Sequence, residues 1–476
     1  MLKNRKFMLM TLEIITTIIL YYIVGNNNFF LYVLSFSLYK LFLSGFSYIS
    51  LSEILKKSDT YGTKRKFLRL VLLVIMVMSL LFLILSIIIS DAINTLLNIN
   101  NVLSIFLFMG ISIFTLPILN VFVSFIENVK NNKKIVNLIS VYHILDNVFL
   151  LVIAFLIFRV FEISNNQYIS LLYLSKIFSF LLVFIILFIL YGKLINKKNI
   201  GVETKKINYN EEIKKILTKN NYKSIINIVE NGYYYLSIIT LYLILSTRYG
   251  YAIDKISEDI VFIYFFGLSI INYLMYVVDL VINTKRKENN IINIMYKNFE
   301  IMLSISIIFA VISPLVCKVI FNDSSNSLYL VMLSFMSIFI FQYNITFKTI
   351  KNRKLIYASL ISGLVLKLIL IIPLINSFYR MGYNLIYGDI ISTIMGMVLS
   401  SIINYLYLKN KYLKKEKYFE RILKILYENI LLCITLILVQ FIIPIKVNNY
   451  FVSLGILLIY ILISIIFIKL KNKKRG

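Results

Sequence analysis

The chain has 476 residues, of which 60% are hydrophobic and 15% charged, against about 25% charged in an ordinary soluble domain; a single large water-soluble core is excluded. A formal net charge of +28 in a soluble chain would point to nucleic acid, but Lys, Asn and Ile are abundant along the whole sequence, so only the placement of the Lys residues is informative. Cys317 and Cys433 lie in apolar segments far apart in the chain, so neither a disulfide framework nor a zinc site is expected, and both read as small buried hydrophobes.

The chain begins Met1-Leu2-Lys3-Asn4-Arg5-Lys6 and then turns apolar. No small-residue cleavage motif follows and a second apolar segment begins almost at once, so an uncleaved first helix is predicted. About 20 apolar residues span the hydrocarbon core, and that length predicts helices over 7–24, 29–51, 68–90, 102–126, 136–161 and 168–191. A long polar stretch, 192–222, interrupts them. Further spans follow at 223–247, 259–282, 299–321, 326–347, 355–377 and 385–408, with two more at 423–445 and 450–468. The expected fold class is an all-α polytopic membrane protein of about 14 transmembrane helices. Its expected divisions are a six-helix lobe at 1–191, a basic cytoplasmic connector at 192–222, a second six-helix lobe at 223–408, and two additional helices with a basic tail at 409–476.

Lys and Arg accumulate on the cytoplasmic side of short connections. With the N-terminus inside, the inside segments hold 41 of the 50 Lys and Arg residues. The expected outside connections GNNN (25–28), EISNNQ (162–167) and NDSSN (322–326) hold none. One missed helix would invert the pattern for the rest of the chain, so both termini are expected inside. Trp is absent, and Tyr is expected to form the interfacial belts, at Tyr21-Tyr22, Tyr233-Tyr234-Tyr235 and Tyr405 with Tyr407; sugar stacking is an alternative for Tyr233–Tyr235.

The halves show weak self-similarity at an offset of about 220 residues. The stretch 130–152 after the fourth span parallels 351–375 after the tenth, the first span of each half carries an acid, Glu13 and Glu230, and the connections 52–69 and 283–298 are both basic. Six helices restore the starting orientation, so the repeats are parallel. Parallel repeats with a site at their interface belong to transporters.

An ionisable side chain at mid-membrane costs about 3 kcal/mol on insertion scales and usually faces a bundle interior or wet cavity. This chain places Glu13, Lys40, Asp146, Lys176, Glu230, Asp279, Lys367, Asp389 and Glu428 within predicted spans. The functional reading is a hydrophilic lumen in which Lys40, Lys176 and Lys367 offer positive charge to an anionic substrate, with Asp146, Glu230, Asp279 and Asp389 as lumen or coupling acids. The structural reading has the Lys residues snorkelling to an interface and the acids in ion pairs. Lys40, Asp146 and Lys367 are the most central. His143, the single histidine, stands three residues before Asp146 and shares its helix face; its readings are a proton relay, the centre of an intramembrane acyltransferase or other glycan-modifying enzyme, or a packing or gating residue. No GxxxxGK[ST] stretch is present, so the chain does not power transport with its own ATPase. No long outside loop with paired acids exists for an enzyme to use, and no enzymatic activity, metal or cofactor is expected.

Four stretches resemble the multidrug/oligosaccharidyl-lipid/polysaccharide exporter superfamily, most closely its bacterial polysaccharide flippases, the branch with stage V sporulation protein B and the lipid II flippases. LYVLSFSLYKLFLSGFSYISLSEILKK (31–57) is similar to the family's second helix and basic exit. FVSFIENVKNNKKIVNLISVYHILDNV (122–148) is similar to its fourth-to-fifth junction, and SPLVCKVIFND (313–323) to the end of its ninth helix. IYASLISGLVLKLILIIPLINSFYRMGYNLIYGDIISTIMG (356–396) resembles its Gly–Lys eleventh helix and Gly-led twelfth. The resemblance implies translocation of an undecaprenyl-diphosphate-linked sugar by alternating access between two six-helix lobes, with the lumen lysines holding diphosphate or acidic sugars as point charges. It singles out Lys367 as the first candidate and gives the last two helices to the lipid tail. The implied partners are the lipid-linked substrate, membrane lipids and glycan-synthesis enzymes, with no nucleic acid, in a monomer at the bacterial cytoplasmic membrane. A drug/cation antiporter of the same superfamily is the alternative.

Overall fold

The structure, a computed structural model, describes residues 2–46, 61–97, 102–130, 133–161, 166–196, 228–229, 231–251, 253–263, 291–321, 327–335, 353–411 and 418–442, with scattered positions within 452–463. Among them all regular structure is helical. Among the described residues eight helices are long and apolar enough to cross a membrane, and Met8–Val24 and Ser237–Arg248 are shorter apolar helices. The chain is a multi-pass membrane protein. It forms two compact units, Met1–Tyr264 and Phe265–Gly476.

In the first unit the helices are α1 (Leu2–Val24), α2 (Asn26–Phe46), α3 (Tyr61–Leu97), α4 (Val102–Lys130), α5 (Asn137–Phe155) and α6 (Leu174–Asn196), then α7 (Ser237–Leu243) and α8 (Ile253–Ile263). The expected GNNN loop shrinks to one residue. Gly25 takes a φ of +80°, a conformation open to glycine at little cost. Its N–H donates to the Tyr21 carbonyl and its own carbonyl accepts from the Phe29 N–H, so α2 starts at once. The asparagines after it dock sideways: Asn26 Nδ2 donates to Ser257 Oγ at 2.9 Å and Ser257 Oγ donates to Asn27 Oδ1 at 3.2 Å, which ties the start of α2 to α8.

α2 is the hub of the unit. It contacts α1, α4, α7, α8 and the 3-10 segment Asn166–Tyr173, and Phe29 through Ser35 are buried along two full turns. A helix apolar on every side belongs in the middle of a bundle. By contrast α3 presents Leu73, Met76, Val77, Leu80, Leu81, Ile84, Ile87 and Ile88 outward, an exposure suited to lipid. α7 lies between π-helical turns at Gly232–Leu236 and Ile244–Arg248. The first turn packs on α2 and buries Tyr233 and Tyr235. These two rings are therefore core residues of the first unit, not the interfacial belt expected of them, whereas Tyr22 is 57% exposed.

In the second unit α9 (Ile291–Phe321), α10 (Arg353–Arg380), α11 (Ile386–Lys411) and α12 (Tyr418–Ile442) are described. α10 ends in a tight reversal: Tyr383 N–H donates to the Phe378 carbonyl and Gly382 N–H to the Tyr379 carbonyl, with Gly382 at φ +72°, the Schellman arrangement that satisfies a helix's last carbonyls. The Asn384 side chain then accepts from the Ile386 N–H and opens α11. The two helices run back antiparallel in close contact. A Cβ on Gly388 would stand 2.7 Å from the Ile375 nitrogen, and one on Gly396 would run into the Gly363 carbonyl oxygen. Such close approach is what small residues give packed membrane helices. α12 lies on α9, where Ser304 Oγ donates to Asn429 Oδ1 at 2.6 Å between buried side chains and Tyr296, Met302, Leu303 and Ile425 form an apolar cluster.

Candidate functional site

The membrane charges set the problem: each needs a partner or water, because burying an isolated one is far more costly than burying a pair. In the first unit five helices bring a set of them to one place. A cavity of about 250 Å³ is lined by Glu13, Thr16 and Thr17 of α1, Tyr32, Phe36, Tyr39 and Lys40 of α2, Leu116 of α4, Tyr142, His143, Asp146 and Asn147 of α5, and Lys176 of α6, closed by aliphatic residues.

Two ion pairs sit in its wall. Lys176 Nζ donates to Asp146 Oδ2 at 2.7 Å, while the other carboxylate oxygen accepts from Ser175 Oγ at 2.7 Å; the two charged side chains are 9% and 15% exposed. The neighbouring Ser175 and Lys176 reach a single carboxylate because the 3-10 segment before α6 is anchored on α2, where Tyr173 Oη donates to Ser35 Oγ. Lys40 Nζ stands 3.6 Å from Glu13 Oε1 in a more open setting. Both ammonium groups also lie over aromatic faces: Lys40 is 4.9 Å from the Phe36 ring centre, and Lys176 is 5.2 Å from that of Tyr39 and 5.8 Å from that of Phe36. Those rings stack on each other and on Tyr32 along one side of α2. A cation over a ring face gains about 2 kcal/mol where it is desolvated, as Lys176 is, and about 0.5–1 kcal/mol where water reaches it, as it does Lys40, so each ammonium has two kinds of support.

His143 and Asp146 share the cavity wall, as their spacing anticipates. Tyr142, next to them, is held by a hydrogen bond with Thr115 Oγ1 at 3.1 Å. Of the anticipated charges the structure thus unites Lys40, Lys176 and Asp146, with Glu13. Lys367 and Asp389 lie in the second unit, in a pair of their own: 3.7 Å separates Lys367 Nζ from Asp389 Oδ1, and the side chains are 1% and 4% exposed. They are set between α10 and α11 beside the Gly363–Gly396 crossing. Glu230 and Asp279 lie outside the described residues. Among those described, no group of three His, Cys, Asp or Glu side chains is placed to hold a metal ion.

The aromatic wall was readable and was missed. Phe29, Tyr32, Phe36 and Tyr39 recur at intervals of three, four and three, one stripe of a helix, ending beside Lys40.

The chain matches no protein-family model and no curated protein. Among solved structures, the lipid II flippase MurJ in an inward closed conformation is similar over 99% of this chain and 98% of its own, at 15% identity and a TM-score of 0.66. An inward-facing multidrug resistance MATE family transporter of the MOP superfamily matches 86% of this chain and 96% of its own, at 13% identity and a TM-score of 0.57. A mutant of the Vibrio cholerae MATE transporter VcmN matches 86% and 94%, at 13% identity and a TM-score of 0.52. The fold is therefore the one common to these flippases and transporters, and the resemblance drawn from residues holds at that level.

Proposed function

We propose that the chain is a flippase that moves an undecaprenyl-diphosphate-linked oligosaccharide, a polysaccharide or cell-wall precursor, across the bacterial cytoplasmic membrane by alternating access. The observation that carries this reading is the charged cavity of the first unit, with Lys40 and Lys176 over aromatic faces, inside a fold matched end to end by a lipid II flippase. Lysines supply point charges to a diphosphate. The volume is that of roughly eight liquid waters, so the cavity receives a diphosphate or one sugar ring while the glycan and lipid extend beyond it. In this reading Lys367 is the cation of the second unit, held by Asp389, and Asp146, Glu230, Asp279 and Asp389 are the acids. Fourteen helices with both termini inside complete the transporter, which works as a monomer alongside glycan-synthesis enzymes, without a cofactor or chemistry of its own.

Glu13 and Asp146 on the same wall favour a second reading, a drug/cation antiporter of the same fold. Depletion of the protein, followed by leaflet-by-leaflet analysis of lipid-linked precursors, separates the two. Build-up of one undecaprenyl-linked sugar on the inner leaflet supports the flippase and names its cargo; an unchanged profile with lost drug efflux supports the antiporter.

A further inference from the structure

The lysines of the cavity are not waiting for a substrate: both are already neutralised. Lys176 is committed to Asp146 at 2.7 Å and Lys40 faces Glu13 at 3.6 Å, so the wall holds two positive and two negative side chains and no surplus cation. A diphosphate entering such a wall meets repulsion from the carboxylates as well as attraction from the ammonium groups. We infer that Glu13 and Asp146 are built-in competitor anions, which leave Lys40 and Lys176 when a diphosphate group takes their place and return to expel it. The inference rests on the flippase reading and adds to it a role for the two acids.

Three features of the geometry fit an exchange better than a permanent brace. Each pair joins two different helices, α1 with α2 and α5 with α6, and each lines the cavity directly. Each ammonium also rests on a ring that does not leave with the carboxylate: Phe36 for Lys40, Tyr39 and Phe36 for Lys176. The cation thus keeps electrostatic support while its anions are exchanged. Finally, the two pairs differ in grip. Glu13 is 56% exposed and Asp146 15%, and Asp146 is further fixed by Ser175, so Glu13 yields first and Asp146 second. A transporter needs this: a site of bare lysines would hold a diphosphate too tightly to release it, whereas an internal rival for each cation lowers affinity on both sides of the membrane.

The test is binding of inorganic pyrophosphate to the full-length protein in detergent, for wild type, Glu13→Gln, Asp146→Asn and Lys176→Met. Exchange requires both acid variants to bind more tightly, by about tenfold each, and to release more slowly, with flipping in reconstituted vesicles falling despite the better binding. A gain in affinity is not what a damaged fold produces, and the more exposed Glu13→Gln keeps the test open should Asp146→Asn fold poorly. Wild-type binding that is weakened by Lys176→Met but unchanged or weaker in both acid variants overturns the exchange and leaves the anion site standing. Absence of pyrophosphate binding in all four proteins overturns the anion site itself. Undecaprenyl diphosphate added to the micelles must displace the bound pyrophosphate; failure to do so would make this a site for free phosphates and overturn the assignment to a lipid-borne group.

Discussion

Lys367 and Asp389 show what a membrane does to single residues. Lys367 is 1% exposed and its carboxylate partner 4%, so neither reaches water, and each is tolerated because the other is there. Removing one partner of such a pair costs about 3–5 kcal/mol, whereas replacing both by uncharged groups of similar size is often close to neutral. Lys367→Met is therefore expected to lower the thermal unfolding midpoint in detergent sharply, and Lys367→Met with Asp389→Asn to recover most of it. A double variant no more stable than the single one would deny the coupling. The position of Lys367 in mid-span was legible in the sequence, because span lengths follow from bilayer thickness. Its pairing with Asp389, 22 residues on, was not: Ser359, Gly363 and Lys367 on α10 and Asp389, Thr393, Gly396 and Ser400 on α11 recur at helical spacing and mark the face each helix buries, but a stripe does not say which other helix it meets. The same holds for Glu13 with Lys40 and Asp146 with Lys176, four charges within predicted spans that could be named individually but not paired.

The joint between α10 and α11 belongs to the scale of elements. Gly382, Gly388 and Lys367 lie in the stretch 356–396, which resembles a Gly–Lys helix followed by a Gly-led one, and the structure supplies reasons for two of the glycines: a left-handed turn at Gly382 and close approach to the Ile375 backbone at Gly388. Gly396 makes the sharpest case, since its absent Cβ leaves room for the Gly363 carbonyl, and Ser400 Oγ hands a hydrogen bond to the Ser359 carbonyl one turn away. Gly396→Val must push two backbones apart. Overpacking costs about 1–3 kcal/mol even where side chains can adjust, and here the obstacle is backbone. Gly396→Val is expected to destabilise the protein by at least that much, read as the unfolding midpoint in detergent. A wild-type midpoint would mean that α10 and α11 do not cross at these glycines. A gentler test applies to α9 and α12: Asn429→Leu removes the acceptor of the Ser304 hydrogen bond and is expected to cost about 0.6–2 kcal/mol, the range for hydrogen bonds between membrane helices.

At the scale of the whole chain the governing pattern is electrostatic. Lys and Arg cluster in every second predicted connection, in the largest number in 192–222, while NDSSN at 322–326 has none. Translocation resists positive charge in short loops, so the pattern predicts the connector inside and NDSSN outside, an odd number of crossings apart. Labelling checks this directly. Cys317 is buried and Cys433 half-buried, so both are first replaced by Ala to give a silent background. Lys205→Cys and Ser324→Cys are then introduced singly and exposed to a membrane-impermeant maleimide. In intact cells Ser324→Cys is expected to label and Lys205→Cys to label only after permeabilisation. Labelling of both sites before permeabilisation would require an even number of crossings between them, and would break the alternation on which the fourteen-helix topology depends. The reverse pattern would keep the count and invert the protein, placing the basic connector outside against the charge rule.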